Sequence, residues 1–387
     1  MSLFDQRLSE TSRYYNNGDL NLGFRRLVDC ALDTDNMDIL KETLAFTDWR
    51  YNTSGKTSQE EISKATGLLR KMENALPSYQ PVLLEKIISA THISKKYTKG
   101  NFTLGPIDVS VHRSEMVGLV GENGNGKTTL LRLLGGELAN DTGSIEYKFQ
   151  TPYKNQYDLR TKLVYIPQRI IKLRGSLMDN LQFTLTQYNI KGEKNEILAL
   201  TLLARMGLWP HIKTTWSRLS SGYKMRFELA RTLLRKPEIL LLDEPLANLD
   251  ILAQQVILED IRFLSGSLTH PFGVVLSSQQ LYEVEKVSDK ILFLDNGQLI
   301  SQTFRKEEKE EYNSLIVEFD SDAKREELND LLGQLGLERL HYNGGNYIAY
   351  FPQEKNMSDI LYILGKSKIH VSYLRDISRS SRRFFID

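Results

Sequence analysis

The residues best suited to chemistry lie in Gly121-Glu122-Asn123-Gly124-Asn125-Gly126-Lys127-Thr128-Thr129. Gly121 to Thr128 fit the pattern G-x-x-x-x-G-K-S/T, between an apolar stretch (Val117, Leu119, Val120) and an apolar helix start. Three glycines let such a loop curl with its N–H groups turned inward, close enough to bond phosphate oxygens. Lys127 then reaches the β- and γ-phosphates, the Thr128 hydroxyl offers a ligand to Mg²⁺, and the helix start adds a favourable dipole. The stretch therefore predicts a nucleoside triphosphate site. A second GKT, at Gly55-Lys56-Thr57, lacks this context. Arg50 stands where the first loop glycine should be and no strand precedes it, so Gly55 reads as an ordinary loop residue.

Two further groups fit the same chemistry. Ile239-Leu240-Leu241-Leu242 ends in Asp243-Glu244, the pattern of a buried parallel strand delivering carboxylates at its C-terminal end. Asp243 suits a ligand to Mg²⁺ or its water, and Glu244 a base that polarises attacking water. Leu219-Ser220-Ser221-Gly222-Tyr223 opens a helix with Ser220 as N-cap, and its free N–H groups offer a second anion site. Tyr97, in a Lys/Gly-rich turn upstream of Gly121, is either a base-stacking aromatic or a surface tyrosine.

The elements that must hold these groups can be read in outline. The chain has 387 residues, enough for two or three domains. Its 50 basic and 49 acidic residues leave a net charge of +1, so nothing global points to nucleic acid. A single cysteine, Cys30, excludes an internal disulfide framework, fits a reducing compartment and reads as buried. The opening MSLFDQRLSE has no signal-like pattern and no run of 18 apolar residues occurs, so a soluble cytosolic protein is expected.

Residues 1–81 read as helical, with Leu27, Val28, Ala31 and Leu32 on one face and Ile62, Ala65, Leu69, Met72 and Leu76 on a heptad-like seam. This is a bundle packed on the next domain or a docking surface. From residue 82 the pattern alternates: Ile88, Ala90 and His92 on one face, then short strands at 102–104 and 109–111. A strand at 163–166 and a mostly helical stretch, 170–216, follow. After a charged linker, 305–311, the order strand 314–319, helix 323–335, strand 338–342, turn Asn343-Gly344-Gly345, strand 346–351, helix 357–365, strand 368–374 is that of a ferredoxin-like split unit.

Residues 84 to 301 resemble the nucleotide-binding subunit of ABC (ATP-binding cassette) proteins. The resemblance rests on GENGNGKTT (121–129), Gln168, LSSGY (219–223), ILLLDEP (239–245) and ANLD (247–250), in that order and at that spacing. It implies an α/β fold: an ABC-type phosphate-loop domain at 82–304, with the helical region before it and an α+β ferredoxin-like domain, 305–387, after it. It also implies ATP and Mg²⁺ as cofactors, Tyr97 as the base-stacking aromatic, Gln168 as a further cation ligand that links the site to a membrane partner, and Ser220 and Gly222 as contacts to a γ-phosphate bound by a second subunit. One phosphate loop and one signature per chain imply head-to-tail pairing, as a homodimer or with a related cassette. An integral membrane permease is then the expected partner, with this chain peripheral on the cytoplasmic face. The end, Tyr373 to Arg379, is similar to the tails of ATPase subunits of bacterial ABC-2-type exporters. The alternative is a non-transport ABC protein acting as a nucleotide-dependent switch.

Three positions depart from the family pattern. Ser221 and Tyr223 replace a glycine and the glutamine of LSGGQ. Gln279 stands where the family places a histidine, and an amide can bond a γ-phosphate but carries no imidazolium charge.

Overall fold

The structure is a computed structural model that describes residues 3–75, 85–98, 100–150, 152–304, 314–343 and 345–378. Leu76, Pro77 and Pro81, Gly344 of the expected turn, the linker 305–311 and the closing Arg382-Arg383-Phe384-Phe385 lie outside the described residues.

The first part is a bundle of four helices: α1 (Leu3–Asn16), α2 (Leu20–Asp33), α3 (Met37–Asn52) and α4 (Ser58–Glu73). Asp19, Asn36 and Thr57 cap the last three, each accepting backbone N–H bonds from the first turn. Thr57 and Glu60 form a reciprocal capping box, so the second GKT sequence serves as a helix start. Leu27, Val28 and Ala31 meet Leu40, Ala65, Leu69 and Met72 in one apolar core. Cys30 is buried within it, and burial pushes its thiol up to about 12, which keeps it protonated and unreactive.

The middle part runs β1 (Lys86–Lys96), β2 (Thr103–His112), β3 (Met116–Val120), α5 (Lys127–Leu134), β4 (Thr142–Tyr147), α6 (Gln156–Lys162), β5 (Leu163–Ile166), α7 (Leu177–Gln187) and α8 (Gly192–Arg205). It continues through α9 (Ser221–Leu233), β6 (Ile239–Leu242), α10 (Ile251–Ser265), β7 (Gly273–Ser278), α11 (Leu281–Val287), β8 (Lys290–Asp295) and β9 (Gln298–Phe304). An antiparallel sheet of order β2-β1-β4 lies beside a six-stranded sheet of order β5-β6-β7-β3-β8-β9. In the larger sheet only the β8–β9 pair is antiparallel. Its central strands β3, β6 and β7 are buried along their whole length, as apolar strands covered on both faces must be.

Two strand expectations are corrected. His92 does not share a face with Ile88 and Ala90: the register shifts between Ala90 and Ile93, and His92 has φ 51°. This bulge turns His92 out to solvent and puts Ile93 in the core. The separate pieces expected at 102–104 and 109–111 are parts of one strand, β2, whose pairing with β1 spans both.

The last part comprises β10 (Ser314–Ser321), α12 (Arg325–Gly333), β11 (Arg339–Asn343), β12 (Asn346–Pro352), α13 (Met357–Lys366) and β13 (Val371–Asp376). Its antiparallel sheet has the order β11-β12-β10-β13 with both helices on one core, the arrangement expected of a ferredoxin-like split unit. The final strand starts three residues later than the pattern predicts, at Val371 rather than Lys368, because Lys368 takes a left-handed φ of 54° after α13.

A buried ionic cluster joins the bundle to the middle part. Arg205 on α8 bonds both oxygens of Asp29 on α2, at 2.7 and 3.0 Å, and Asp260 on α10 at 2.8 Å. Arg26 and Arg25 complete the set, on Asp29 and Asp260 respectively. Leaving one such charge unpaired costs about 3–5 kcal/mol, so the cluster holds its three helices in one arrangement. Among the described residues no helix is long and apolar enough to cross a membrane.

Candidate functional site

The six-stranded sheet brings the carboxyl ends of β3, β6 and β7 to one edge, the position at which open α/β sheets bind ligands. The loop after β3 crosses to α5. Gly126 has φ 99°, and a Cβ there would meet Leu104 and Phe102 at 2.6 and 2.9 Å, so this turn needs glycine. Gly121 is required by close approach instead, since a Cβ would stand 2.3 Å from the Leu294 carbonyl oxygen.

Lys127 opens α5 and points back under the loop. Its ammonium donates to the carbonyls of Gly121 (2.6 Å) and Glu122 (3.1 Å) and lies 3.3 Å from Glu244 Oε1. Among the described residues that buried oxygen has no hydrogen-bond partner of good geometry, and the lysine is its ionic partner. Thr128 Oγ1 donates to Asp243, 2.9 Å from Oδ2 and 3.1 Å from Oδ1. Glu244 has φ 47°, a left-handed conformation costing on the order of 1–3 kcal/mol and found where a site over-determines it. Its N–H donates to Ser277 Oγ (2.9 Å), which in turn donates to Asp243 Oδ1 (2.9 Å).

A cleft of about 230 Å³ opens over these groups, lined by Glu122, Asn123, Gly124, Lys127, Thr128 and Thr129 with Phe102, Gln168 and Glu244. A lysine ammonium and a helix start face it, as a polyphosphate needs. The oxygens of Thr128 and Asp243 are hard donors that fit Mg²⁺, which takes one or two protein oxygens and completes its shell from phosphates and water. Among the described residues no cluster of three or more His, Cys, Asp or Glu could hold a metal ion.

The remaining expected residues divide. Asn125 turns away from the cleft and bonds the Leu294 carbonyl and Asp295, so it braces the loop rather than facing a ligand. Gln279 donates to Asn123 Oδ1 (2.8 Å), placing the switch position against the phosphate loop. Tyr97 does not line the cleft; Phe102 does, with the Tyr97 ring centroid 6.4 Å from its own. Ser220 caps α9 as expected, but neither it nor Gly222 lines the cleft around Lys127. The substituted Ser221 has a contact of its own, donating to the Asn248 carbonyl (2.9 Å), and the Tyr223 ring packs 4.7 Å from that of His211. Sequence reasoning missed Phe102, Tyr165 and Ser277. The signals were there: a hydroxyl-bearing ring three residues before Gln168, and a serine at the end of an apolar strand.

A family model described as ABC transporter matches residues 104–247. The aliphatic sulfonates import ATP-binding protein SsuB of Escherichia coli O6:H1 is 32% identical over 54% of this chain and 76% of its own length. The linearmycin resistance ATP-binding protein LnrL of Bacillus subtilis is 30% identical over 56% of this chain and 68% of its own. The "Probable multidrug ABC transporter ATP-binding protein YbhF" of Escherichia coli is 32% identical over 51% of this chain, and the match spans about a third of that longer protein (34%). Among solved structures, cbiO1 from Clostridium perfringens, part of the ABC transporter complex cbiONQ, superposes with a TM-score of 0.50 at 23% identity over 65% of this chain and 98% of its own, a likeness of fold. With these relatives and this fold, the chain belongs to the ABC transporter ATP-binding proteins, a family of ATPases.

Proposed function

We propose that this chain is the ATP-hydrolysing subunit of an ABC exporter, acting on a separate integral membrane permease. The observation that carries the reading is the convergence of Lys127, Thr128 and Glu244 on one cleft, with Asp243 bonded to Thr128 and with Ser220 and Gly222 outside the lining. A site completed by the signature residues of a second chain follows, and with it head-to-tail pairing, as a homodimer or with a related cassette. In that site Lys127 and the loop N–H groups bind the phosphates, Thr128, Asp243 and Gln168 face Mg²⁺, Glu244 orients water, and Tyr97 or Phe102 meets the base. Mg²⁺ supplies charge neutralisation to the bound phosphates. The three-part division at residues 81 and 304, and a peripheral place on the cytoplasmic face through the permease, belong to the same reading.

Export is supported by the names of YbhF and LnrL, multidrug and resistance proteins, against the import named for SsuB. Isolation of the tagged chain from detergent-solubilised native membranes should recover one integral membrane protein in stoichiometric amount, and vesicles carrying both should move substrate out of the ATP-containing compartment. ATP-driven movement in the opposite sense would overturn the exporter reading.

A second reading, a nucleotide-dependent switch without transport, is favoured by one contact. The Arg375 guanidinium lies 3.9 Å over the Tyr282 ring and 3.9 Å from Glu285, tying β13 to α11, which follows Gln279. ATPase that persists at full rate with no membrane protein in the complex would support it.

Gln279 makes a further prediction. Gln279→His is expected to raise steady-state turnover, because an imidazole can share positive charge with the developing transition state and an amide offers only a dipole. A tenfold gain corresponds to about 1.4 kcal/mol. Unchanged or reduced ATPase at saturating Mg-ATP would mean that the loop, through the Gln279–Asn123 bond, is adapted to glutamine.

A further inference from the structure

Asp243 is held from two sides by hydroxyl groups outside the phosphate loop. Tyr165 donates to Oδ2 at 3.0 Å and Ser277 to Oδ1 at 2.9 Å, while Thr128 shares its one hydrogen between both oxygens. The two flanking donors, one per oxygen, fix the rotation of the carboxylate plane. Thr128 directs its own hydroxyl hydrogen to the aspartate, which leaves the lone pairs of its Oγ1 free for a cation.

Both residues are placed by the sheet. Ile166 pairs with Leu242, so Tyr165 stands beside the end of β6, its ring packed on the apolar cluster that includes Leu130 and Leu134 of α5. Ser277 is fully buried in a strand otherwise made of Gly, Val, Leu and Ser, where a hydroxyl is costly unless bonded. It is bonded twice, and its second bond, accepted from Glu244 N–H, ties the two consecutive carboxylates to one atom.

We propose that Tyr165 and Ser277 are positioning residues that hold the Asp243 carboxylate for the divalent cation accompanying the nucleotide. The inference rests on the nucleotide-site reading of the cleft, and the two can fail separately. The test is the affinity for a non-hydrolysable ATP analogue, measured first in excess chelator and then across a Mg²⁺ series, on the full chain and on Tyr165→Phe and Ser277→Ala. Each substitution removes one oxygen and keeps the packing, and the two act on opposite carboxylate oxygens.

Metal-free affinity is expected to stay within about twofold of the parent, while the Mg²⁺ concentration for half-maximal tightening rises roughly tenfold in each variant, the scale of lost outer contacts to metal ligands. A residue that only packs would lower the unfolding temperature without moving the Mg²⁺ midpoint. An unmoved midpoint in both variants, or an equal loss of metal-free affinity, would overturn the proposal. Failure of the parent chain to bind the analogue at all would instead overturn the nucleotide-site reading.

Discussion

Glu244→Gln is expected to bind ATP at least as tightly as the parent chain and to hydrolyse it roughly 10²–10⁴-fold more slowly, the range lost with a general base. The geometry gives the reason. Glu244 Oε1 is buried and among the described residues lacks a hydrogen-bond partner of good geometry, the state in which a carboxylate oxygen can take a proton from water. Lys127 Nζ lies 3.3 Å from it, so the carboxylate competes with phosphate for the same ammonium. The amide removes that competition and the basic oxygen together. If a second chain completes the site, the unhydrolysed nucleotide should hold the pair closed, and gel filtration with ATP and Mg²⁺ should show a dimer. A variant that binds ATP yet stays monomeric would contradict the paired-site reading, and one that turns over at the parent rate would remove Glu244 from the chemistry.

Lys127→Ala should weaken ATP binding by two orders of magnitude or more. Charge-assisted hydrogen bonds contribute about 1.5–3 kcal/mol each, and about 1.4 kcal/mol is tenfold in affinity. The lysine also holds the Gly121 and Glu122 carbonyls and neutralises Glu244, so its removal leaves acceptors and a negative charge facing the phosphates. The double variant Lys127→Ala/Glu244→Gln separates the two contributions. Partial recovery of affinity would measure the carboxylate's repulsion, and the remaining loss would measure the missing phosphate contacts. Calorimetric titration with ATP reads both variants, and near-normal affinity in Lys127→Ala would remove the keystone of the nucleotide reading.

Much of the site was legible before any coordinates. The phosphate loop, the strand ending in Asp243-Glu244 and the cap at Ser220 are local patterns, and they appear where the spacing put them. They depend on interactions within a few residues: glycines in a tight turn, a hydroxyl accepting from the N–H three residues on, an unbroken apolar strand ending in acids. The family resemblance, and with it the fold class, rests on the same short segments.

What the linear order left open lies in pairs far apart along the chain. Thr128 meets Asp243 across 115 positions, Tyr165 meets it across 78, and Ser277 across 34. Those meetings follow from the strand order β5-β6-β7-β3-β8-β9, which places β6 between the strands carrying Tyr165 and Ser277 and no local pattern encodes. The same holds for Arg205, a charge at the end of an otherwise apolar stretch, which sits at the centre of a buried ionic cluster with Asp29 and Asp260. The bulge that turns His92 outward likewise follows from the pairing of β1 with β2 and β4, not from its own alternation. Local chemistry is written in neighbouring residues because turns, caps and strands are made by neighbours. A carboxylate's orientation is set by whichever hydroxyls the sheet and helices bring to it, and only packing chooses those.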